Sequence, residues 1–445
     1  MTKRTNITDA IVEFITEAPD TDVPDSARDI FRLSLVDWVA VALAARDEPV
    51  SQITRGTAEE DGGNEQAYAI GLNQRQPARA AALVNGTTSH ALDYDDTHFA
   101  SLGHPSVAVI PAALAIADKL GASPKAFADA ALRGMELAVR IGIWLGRDHY
   151  HTGFHVTPTA GTFGAAMASA RLLGLSADQT RSALGLAAST AGGVKAQFGT
   201  MGKPFHAGIA AANGVEVALL ASRGLSAAQQ GLEGAQGYGE THHGRFDDFA
   251  FDGLDETYLF ENVSHKFHAC CHGTHAALEA LISLRNEHWI RPAEIEEIEI
   301  TVHPQYLDIC NITNPDTGLE AKFSYQMVAA LVMHEHDTAR MDTFNDAVCQ
   351  DAKILALRDR VRVKTTLLMA ESAAGVRVVL KGGTVVTRGH DLIAQQEYEI
   401  REERVRAKVA SLLGDATADT LWQEVAQMTD LPSNWMQYHL AETSD

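Results

Sequence analysis

The sequence predicts a mainly α protein with a smaller α+β domain, and three observations carry that expectation. From about residue 26 to 235 the chain is rich in Ala, Leu and Gly, with apolar residues at helical spacing, as in SARDIFRLSLVDWVAVALAAR. After Lys266 the texture changes to alternating apolar and polar residues, the mark of half-buried strands. From about Gln396 the pattern returns to helix. A chain of 445 residues is too long for one typical core, so two domains are expected: residues 1–265, all helical and completed by 396–445, and residues 266–395, α+β.

Within the helical part, three segments share a pattern: LGASPKAFADAALRG from Leu120, LGLSADQTRSALGLA from Leu173 and RGLSAAQQGLEGAQG from Arg223. Each sets Gly and then Ser at a junction where Gly tolerates a left-handed cap and Ser caps the next helix, which suggests stacked helical hairpins. Small residues such as those of GTFGAAMASA let helices approach closely. In the second part, IEEIEITVHPQYL from Ile295 and VRVKTT from Val361 read as strands, and AGVRVVLKGGTVVTRGH from Ala374 reads as a hairpin turning at Gly382 and Gly383. KFSYQMVAALVMHE and FNDAVCQDAKILALRD read as helices between them. EIREERVRAKVASLLG and TADTLWQEVAQMT close the chain as helix.

Composition excludes several function classes. A formal charge of −22 without a basic stripe argues against nucleic acid as a partner. Four cysteines are too few for a disulfide framework and suggest a reducing compartment. The N-terminus reaches acidic residues without an apolar signal segment, and the longest apolar run, residues 107–117, is far short of a membrane span. The expectation is a soluble cytoplasmic protein with no membrane partner.

Residues 92–106, LDYDDTHFASLGHPS, are the densest polar cluster: Asp93, Asp95, Asp96, Thr97, His98 and His104 lie between segments that read as buried helix. Such a cluster costs stability unless its groups are solvated or paired, so it is either a site or an acidic loop before a helix that starts at Pro105. DHYHTGFHVTPTAG sets His149, Tyr150, His151 and His155 just before a small-residue helix expected to start near Gly161, where amides and the helix dipole favour an anion, unless these are exposed loop histidines. FGTMGKPFHAG holds Lys203 and His206 in a Gly-rich turn, with the lysine placed to act as a base or an anion clamp. SHKFHACCHGTH contains His265, Lys266, His268, Cys270, Cys271, His272 and His275; its adjacent cysteines do not suit zinc, whose ligands come as separated pairs. ETHHGRFDD reads as a solvated loop.

In their order, ALDYDDTHFASLGHPS, GFHVTPTAGTFGAA, FGTMGKPFHAG with the following AAANG, KFHACCHGTH and EAKFSYQMVAALV resemble the motifs of the MmgE/PrpD family over roughly residues 9–435. That family includes 2-methylcitrate dehydratases, cis-aconitate decarboxylases and iminodisuccinate epimerases. The resemblance implies a large helical domain built from both chain ends, an α+β lid, a homodimer, and no metal, nucleotide or organic cofactor. It also implies a small di- or tricarboxylate substrate that reacts at a carbon next to a carboxylate. Removing a proton there is feasible when preorganised donors meet the developing charge.

Carried over residue by residue, the resemblance places Asp93, Thr97, His104, His155 and Lys203 in the active site. His155 or Lys203 would transfer the proton while the other polarises the carboxylate. His104 and Thr97 would hold substrate oxygens, and Asp93 would orient a histidine or Lys203. Tyr150, His206 and Tyr325 are further candidates for substrate binding. Asp95, Asp96 and His98 are expected to cap helices or face solvent.

Two positions depart from the decarboxylase branch: Cys271 stands where it has a functional histidine, and Met327 where it has a tyrosine, with Tyr325 two places earlier. Cys271 would either donate a proton to a planar intermediate or be a small buried residue. The reading is a cofactor-independent lyase or isomerase acting by proton transfer, 2-methylcitrate dehydratase-like first and an epimerase of the iminodisuccinate type as the alternative. Behind these stand cis-aconitate decarboxylation, a metal-dependent helical hydrolase suggested by the His390–Asp391 pair, and a non-enzymatic helical scaffold. Substrate affinity is expected to weaken as pH rises through the histidine range.

Overall fold

The computed structural model describes residues 7–17, 23–394 and 396–426. Over these the chain forms sixteen α-helices and one four-stranded sheet, and it divides into two compact units. The first unit takes residues up to His265 and returns from Leu413; the second is Lys266–Leu412.

The first unit is all helical. It contains α1 (Ile7–Thr16), α2 (Asp25–Ala44), α3 (Pro49–Asp61), α4 (Ala78–His90), α5 (Pro105–Leu120), α6 (Pro124–Thr152), α7 (Val156–Leu172), α8 (Ala177–Ala187), α9 (Gly202–Ser222) and the single turn α10 (Tyr238–Thr241). Two of the three related junctions form as expected. Ser123 caps α6 through the Ala126 amide, and Ser176 closes a capping box with Gln179 at the start of α8. The third does not: no helix follows Ser226, and the chain runs through turns to Gly237. α6 also breaks within its length, at Gly146 with φ 72°.

Helices α4, α5, α7 and α9 pack on one another, and small residues set their spacing. A Cβ on Gly134 would come within 2.6 Å of the Gly164 carbonyl oxygen, and one on Gly86 within 2.8 Å of the Gly208 Cα. These contacts bring α6 onto α7 and α4 onto α9 backbone to backbone. By length and composition α9 is apolar enough to cross a membrane, yet it lies packed against α4, α5, α7 and α8. Its apolar character serves the helical core of this unit.

The second unit is α+β. It contains α11 (His275–His288), β1 (Ile295–Val302), α12 (Gly318–Ala321), α13 (Tyr325–Met333), α14 (Ala352–Arg358), β2 (Val361–Thr365), β3 (Ala373–Leu380), β4 (Val385–Asp391) and α15 (Tyr398–Leu413). The strands are ordered β2-β1-β3-β4, with β1 parallel to β2 (Ile298 opposite Val361) and antiparallel to β3 (Ile298 opposite Val378). A bulge between Ile295 and Glu297 lets Ile295 and Ile298, three apart, both turn inward with Ile300 and Val302. The β3–β4 hairpin turns at Gly382 and Gly383, at φ 110° and 87°. FNDAVCQ is not helical; the helix there begins only at Ala352, capped by Asp351.

α16 (Asp415–Ala426) packs on α2 in the first unit, and the end of the C-terminal helical pattern beyond Ala426 lies outside the described residues. The return to the helical part therefore falls at Leu413, not at Gln396. α15 stays with the second unit because Arg404 pairs with Glu279 and lies 3.9 Å over the Phe267 ring, while Val405 and Val409 are buried.

Candidate active site

Four short segments of the first unit converge: the end of α4, the loop 91–104, and the starts of α7 and α9. The loop has a scaffold of its own. His98 is buried; its Nε2 lies 3.0 Å from the Leu259 carbonyl, its Nδ1 accepts from the Ser101 amide, and its amide donates to Gly103. Burial pushes its pKa down to about 4, so the ring is neutral and works as a pin. Thr97 exchanges two backbone hydrogen bonds with Ser264, at 2.9 and 2.7 Å. Asp93 takes a left-handed φ of 50°, which turns the chain sharply after α4.

Asp96 caps α5 as expected but does not meet solvent. It accepts from the Ser106 amide and hydroxyl in the first turn, and burial raises its pKa to about 7 against the Ser106 hydrogen bond. Asp95 is neither a cap nor exposed. It is fully buried, with one oxygen 2.8 Å from His90 Nδ1 and the other 2.8 Å from His104 Nδ1. Burial by itself would raise this carboxyl, but the two histidines prevail and hold it well below its usual range. His90, the last residue of α4, was not a candidate from sequence. Its ring lies edge-on to His104, centroids 4.6 Å apart, and stacks toward His155 at 6.2 Å.

The other wall carries the positive charge. Lys203, in the first turn of α9, places Nζ 2.5 Å from Asp93 Oδ2, and His104 Nε2 lies 3.9 Å from Asp93 Oδ1. His155 is the N-cap of α7, with its Nδ1 3.1 Å from His206 Nδ1. Two ring nitrogens at that distance share one proton, one donating and one accepting. Burial first, then the charges of Lys203, His90, His104 and His206, push the His155 pKa well down, and burial also lowers His206. The Phe198 ring stands edge-on to His155 at 4.9 Å and 5.5 Å from Lys203 Nζ, closing this side with apolar surface.

The expected constellations are thus divided. Asp93, His104, His155, Lys203 and His206 come together, and Thr97 lies on the same loop. Tyr150 is half-buried with Lys195 Nζ 3.6 Å from its ring centre, so its face is engaged by a cation that sequence reasoning passed over. His149 belongs to the core: Nδ1 lies 2.5 Å from the His242 carbonyl, Nε2 lies 2.9 Å from Thr159 Oγ1, and burial takes its pKa to about 4.

In the second unit, Cys271 Sγ lies 2.9 Å from Cys310 Sγ. Tyr325, expected to bind substrate, has a buried side chain whose hydroxyl donates to the Gly273 carbonyl at 2.7 Å, and burial raises its pKa. Met327 is buried in the same helix. Cys270, its thiol pushed up to about 12 by burial, bonds Thr274, while His268 bridges Thr338 and Glu279. These side chains tie separate segments of the second unit together. His390 and Asp391, the pair behind the hydrolase alternative, are strand neighbours on β4, so their side chains leave opposite faces; Asp391 receives the Ile393 amide.

His90, Asp93, Asp95 and His104 each bring a potential ligand atom to within 4.8 Å of the others. Each already has partners within the protein: Lys203 pairs with Asp93, and both Nδ1 atoms lie on Asp95. The group is a hydrogen-bonded acid–base cluster. In this largely helical unit, paired histidines and a lysine–aspartate pair stand together at helix starts, groups chemically able to exchange protons and to hold an anion.

The chain belongs to the MmgE/PrpD family: residues 9–248 match its N-terminal domain and residues 268–430 its C-terminal domain. It is 31% identical over 301 residues to a cis-aconitate decarboxylase-like protein of Aspergillus oryzae, a match spanning 64% of this chain and 62% of that protein. It is 28% identical over 389 residues to the cis-aconitate decarboxylase of Homo sapiens, spanning 80% of this chain and 78% of the relative. With the cis-aconitate decarboxylase of Aspergillus terreus the identity is 25% over 460 residues, 96% and 93% of the two chains.

Proposed function

We propose that the chain is a cofactor-independent lyase that moves a proton at a carbon next to a carboxylate of a small tricarboxylate. The observation that carries this reading is the juxtaposition of Lys203 and Asp93, 2.5 Å apart, with His104 and the neutral His155–His206 pair. Lys203 supplies charge for a substrate carboxylate. A neutral imidazole beside it accepts or returns the proton, and the enolate-like charge is met by groups already in position.

Hydration or dehydration, as in a 2-methylcitrate dehydratase, is the first reading, because Cys271 and Met327 replace the histidine and tyrosine of the decarboxylase branch. Decarboxylation of cis-aconitate is the second, favoured by the activity named for the relatives. Both act on tricarboxylates with the same proton-transfer groups. They differ in whether a C–O or a C–C bond breaks.

Incubation in deuterated water with cis-aconitate, citrate, 2-methylcitrate and smaller dicarboxylates separates the outcomes. Water loss or addition with deuterium at the α carbon supports the first reading, and carbon dioxide release supports the second. Exchange with inversion and no new alkene supports an epimerase. Absence of exchange with every substrate counts against proton-transfer catalysis altogether.

A further inference from the structure

We infer that Asp95, braced by His90, is the positioning residue of this site: its carboxylate takes a hydrogen bond from each imidazole and so holds His104 with Nε2 turned toward the Asp93–Lys203 pair. The inference deepens the proton-transfer reading and rests on it for the effects on turnover. Its structural half stands independently.

The geometry leaves little freedom. An ionised carboxylate only accepts, so a neutral ring at 2.8 Å must carry its proton on the nitrogen that faces it. Both rings meet Asp95 through Nδ1, which sets both tautomers: protons on Nδ1, lone pairs on Nε2. For His104, Nε2 is then the atom 3.9 Å from Asp93 Oδ1, on the side where Lys203 stands. For His90, Nε2 is buried and has no hydrogen-bond partner among the described residues, the state expected of a lone pair and costly for an N–H.

His90 has its own task. A carboxylate held by a single imidazole can rotate or take up a proton; a second donor on its other oxygen prevents both. Fully buried, Asp95 would otherwise favour its neutral form. The arrangement stabilises a proton arriving at His104 and fixes the plane of its ring, as in other carboxylate–histidine pairs. Around His104 stand Asp95 and Asp93 from the loop, His90 from α4, His155 from α7 and Lys203 from α9. The two carboxylates favour its protonated form, and the lysine and the other rings oppose it. Of the two carboxylates, Asp95 is the one whose removal leaves the Asp93–Lys203 pair in place.

The test begins without substrate. Long-range 1H–15N spectra of the wild-type chain, with the two rings assigned from His104→Gln and His90→Asn spectra, are expected to show both protonated at Nδ1. His104 found protonated at Nε2 when neutral overturns the proposal. In turnover, Asp95→Asn is expected to lower kcat about 100-fold or more, in the range of general acid–base effects, and to move the acid limb of the pH–rate profile down by about one unit. KM for the tricarboxylate should change little. His90→Asn, whose amide can stand in for the Nδ1–H donor, is expected to stay within about tenfold of wild type, whereas His90→Phe falls as Asp95→Asn does.

Loss of activity in Asp95→Asn with an unshifted profile, or equal losses in His90→Asn and His90→Phe, would reduce Asp95 to a structural residue and overturn the proposal. If Asp95→Asn does not fold, the wild-type spectra and the two His90 variants still decide. Nδ1-protonated rings in a chain that turns over no carboxylate uphold the positioning and count against the proposed function alone.

Discussion

Lys203 and His155 show how the site divides charge between two residue types. Burial and the neighbouring positive charges push the His155 pKa well down, which keeps this imidazole neutral, while Lys203 Nζ lies 2.5 Å from the Asp93 carboxylate. The pH dependence of affinity expected from sequence therefore does not come from His155. Replacing Lys203 by Met is expected to reduce α-proton exchange at least ~100-fold, at the low end of what a positioned acid–base group contributes, while circular dichroism stays that of the wild type. Asp96 makes a residue-scale prediction about stability. Its folded pKa, raised to about 7, lies above the unfolded value, so the folded chain binds the extra proton between about pH 4 and 7. Its contribution is complete below that window and is lost as pH rises through it. Thermal melts of Asp96→Asn against wild type from pH 4.5 to 8 should therefore show the variant gaining relative stability as pH rises, levelling above 7. A constant gap would contradict the assignment.

At the scale of elements, the site depends on four helices held at backbone distance. Gly134 is a contact point where a Cβ meets the Gly164 carbonyl oxygen, the Ala168 Cβ and the Val109 Cγ1 at 2.6 to 2.8 Å. Gly134→Ala is expected to cost about 1–3 kcal/mol through overpacking, read as a lower denaturation midpoint. Gly56, within α3, has nothing within 4 Å of its missing Cβ. There the same substitution is expected to stabilise by about 0.5–1 kcal/mol, because only helix propensity is at stake. Two Gly→Ala changes with opposite signs test whether close packing or propensity governs each helix. The same contrast explains the junctions. Ser123 and Ser176 cap helices because residues able to continue a helix follow them, whereas RGLSAAQQGLEGAQG, with three glycines after its first, forms turns despite the same Gly–Ser start.

For the whole molecule, a formal charge of −22 works against approach by a tri-anion even though the site itself holds a lysine. Raising ionic strength from 0.01 to 0.15 M shortens the screening length from about 30 to about 8 Å, which removes the long-range repulsion first. Association of a tricarboxylate measured by stopped flow is expected to quicken over that range; a monotonic slowing would show that local positive charge governs encounter. By itself the sequence determined the helical and α+β textures, the change of texture near Lys266, the helix start at Pro105, and the ordered motifs that mark the family; the helix expected near Gly161 begins five residues earlier, at Val156. These are local or linear properties, written in periodicity, capping residues and residue order. The hydrogen-bond partners were a matter of tertiary structure alone. The sequence shows a polar cluster in the stretch from 92 to 106, but whether Asp95 meets water or two histidines depends on where the end of α4 and the loop after it are held, as by the close approach of Gly86 in α4 to Gly208 in α9. His90, at the end of α4, and Lys195, beside Tyr150, carried no signal of their own in the sequence. Tyr325 looked available because a single sequence does not record that its hydroxyl is taken by a carbonyl 52 residues earlier. Burial decides each case, since a polar group's chemistry is set by which neighbours replace its water, and those neighbours are chosen by the fold.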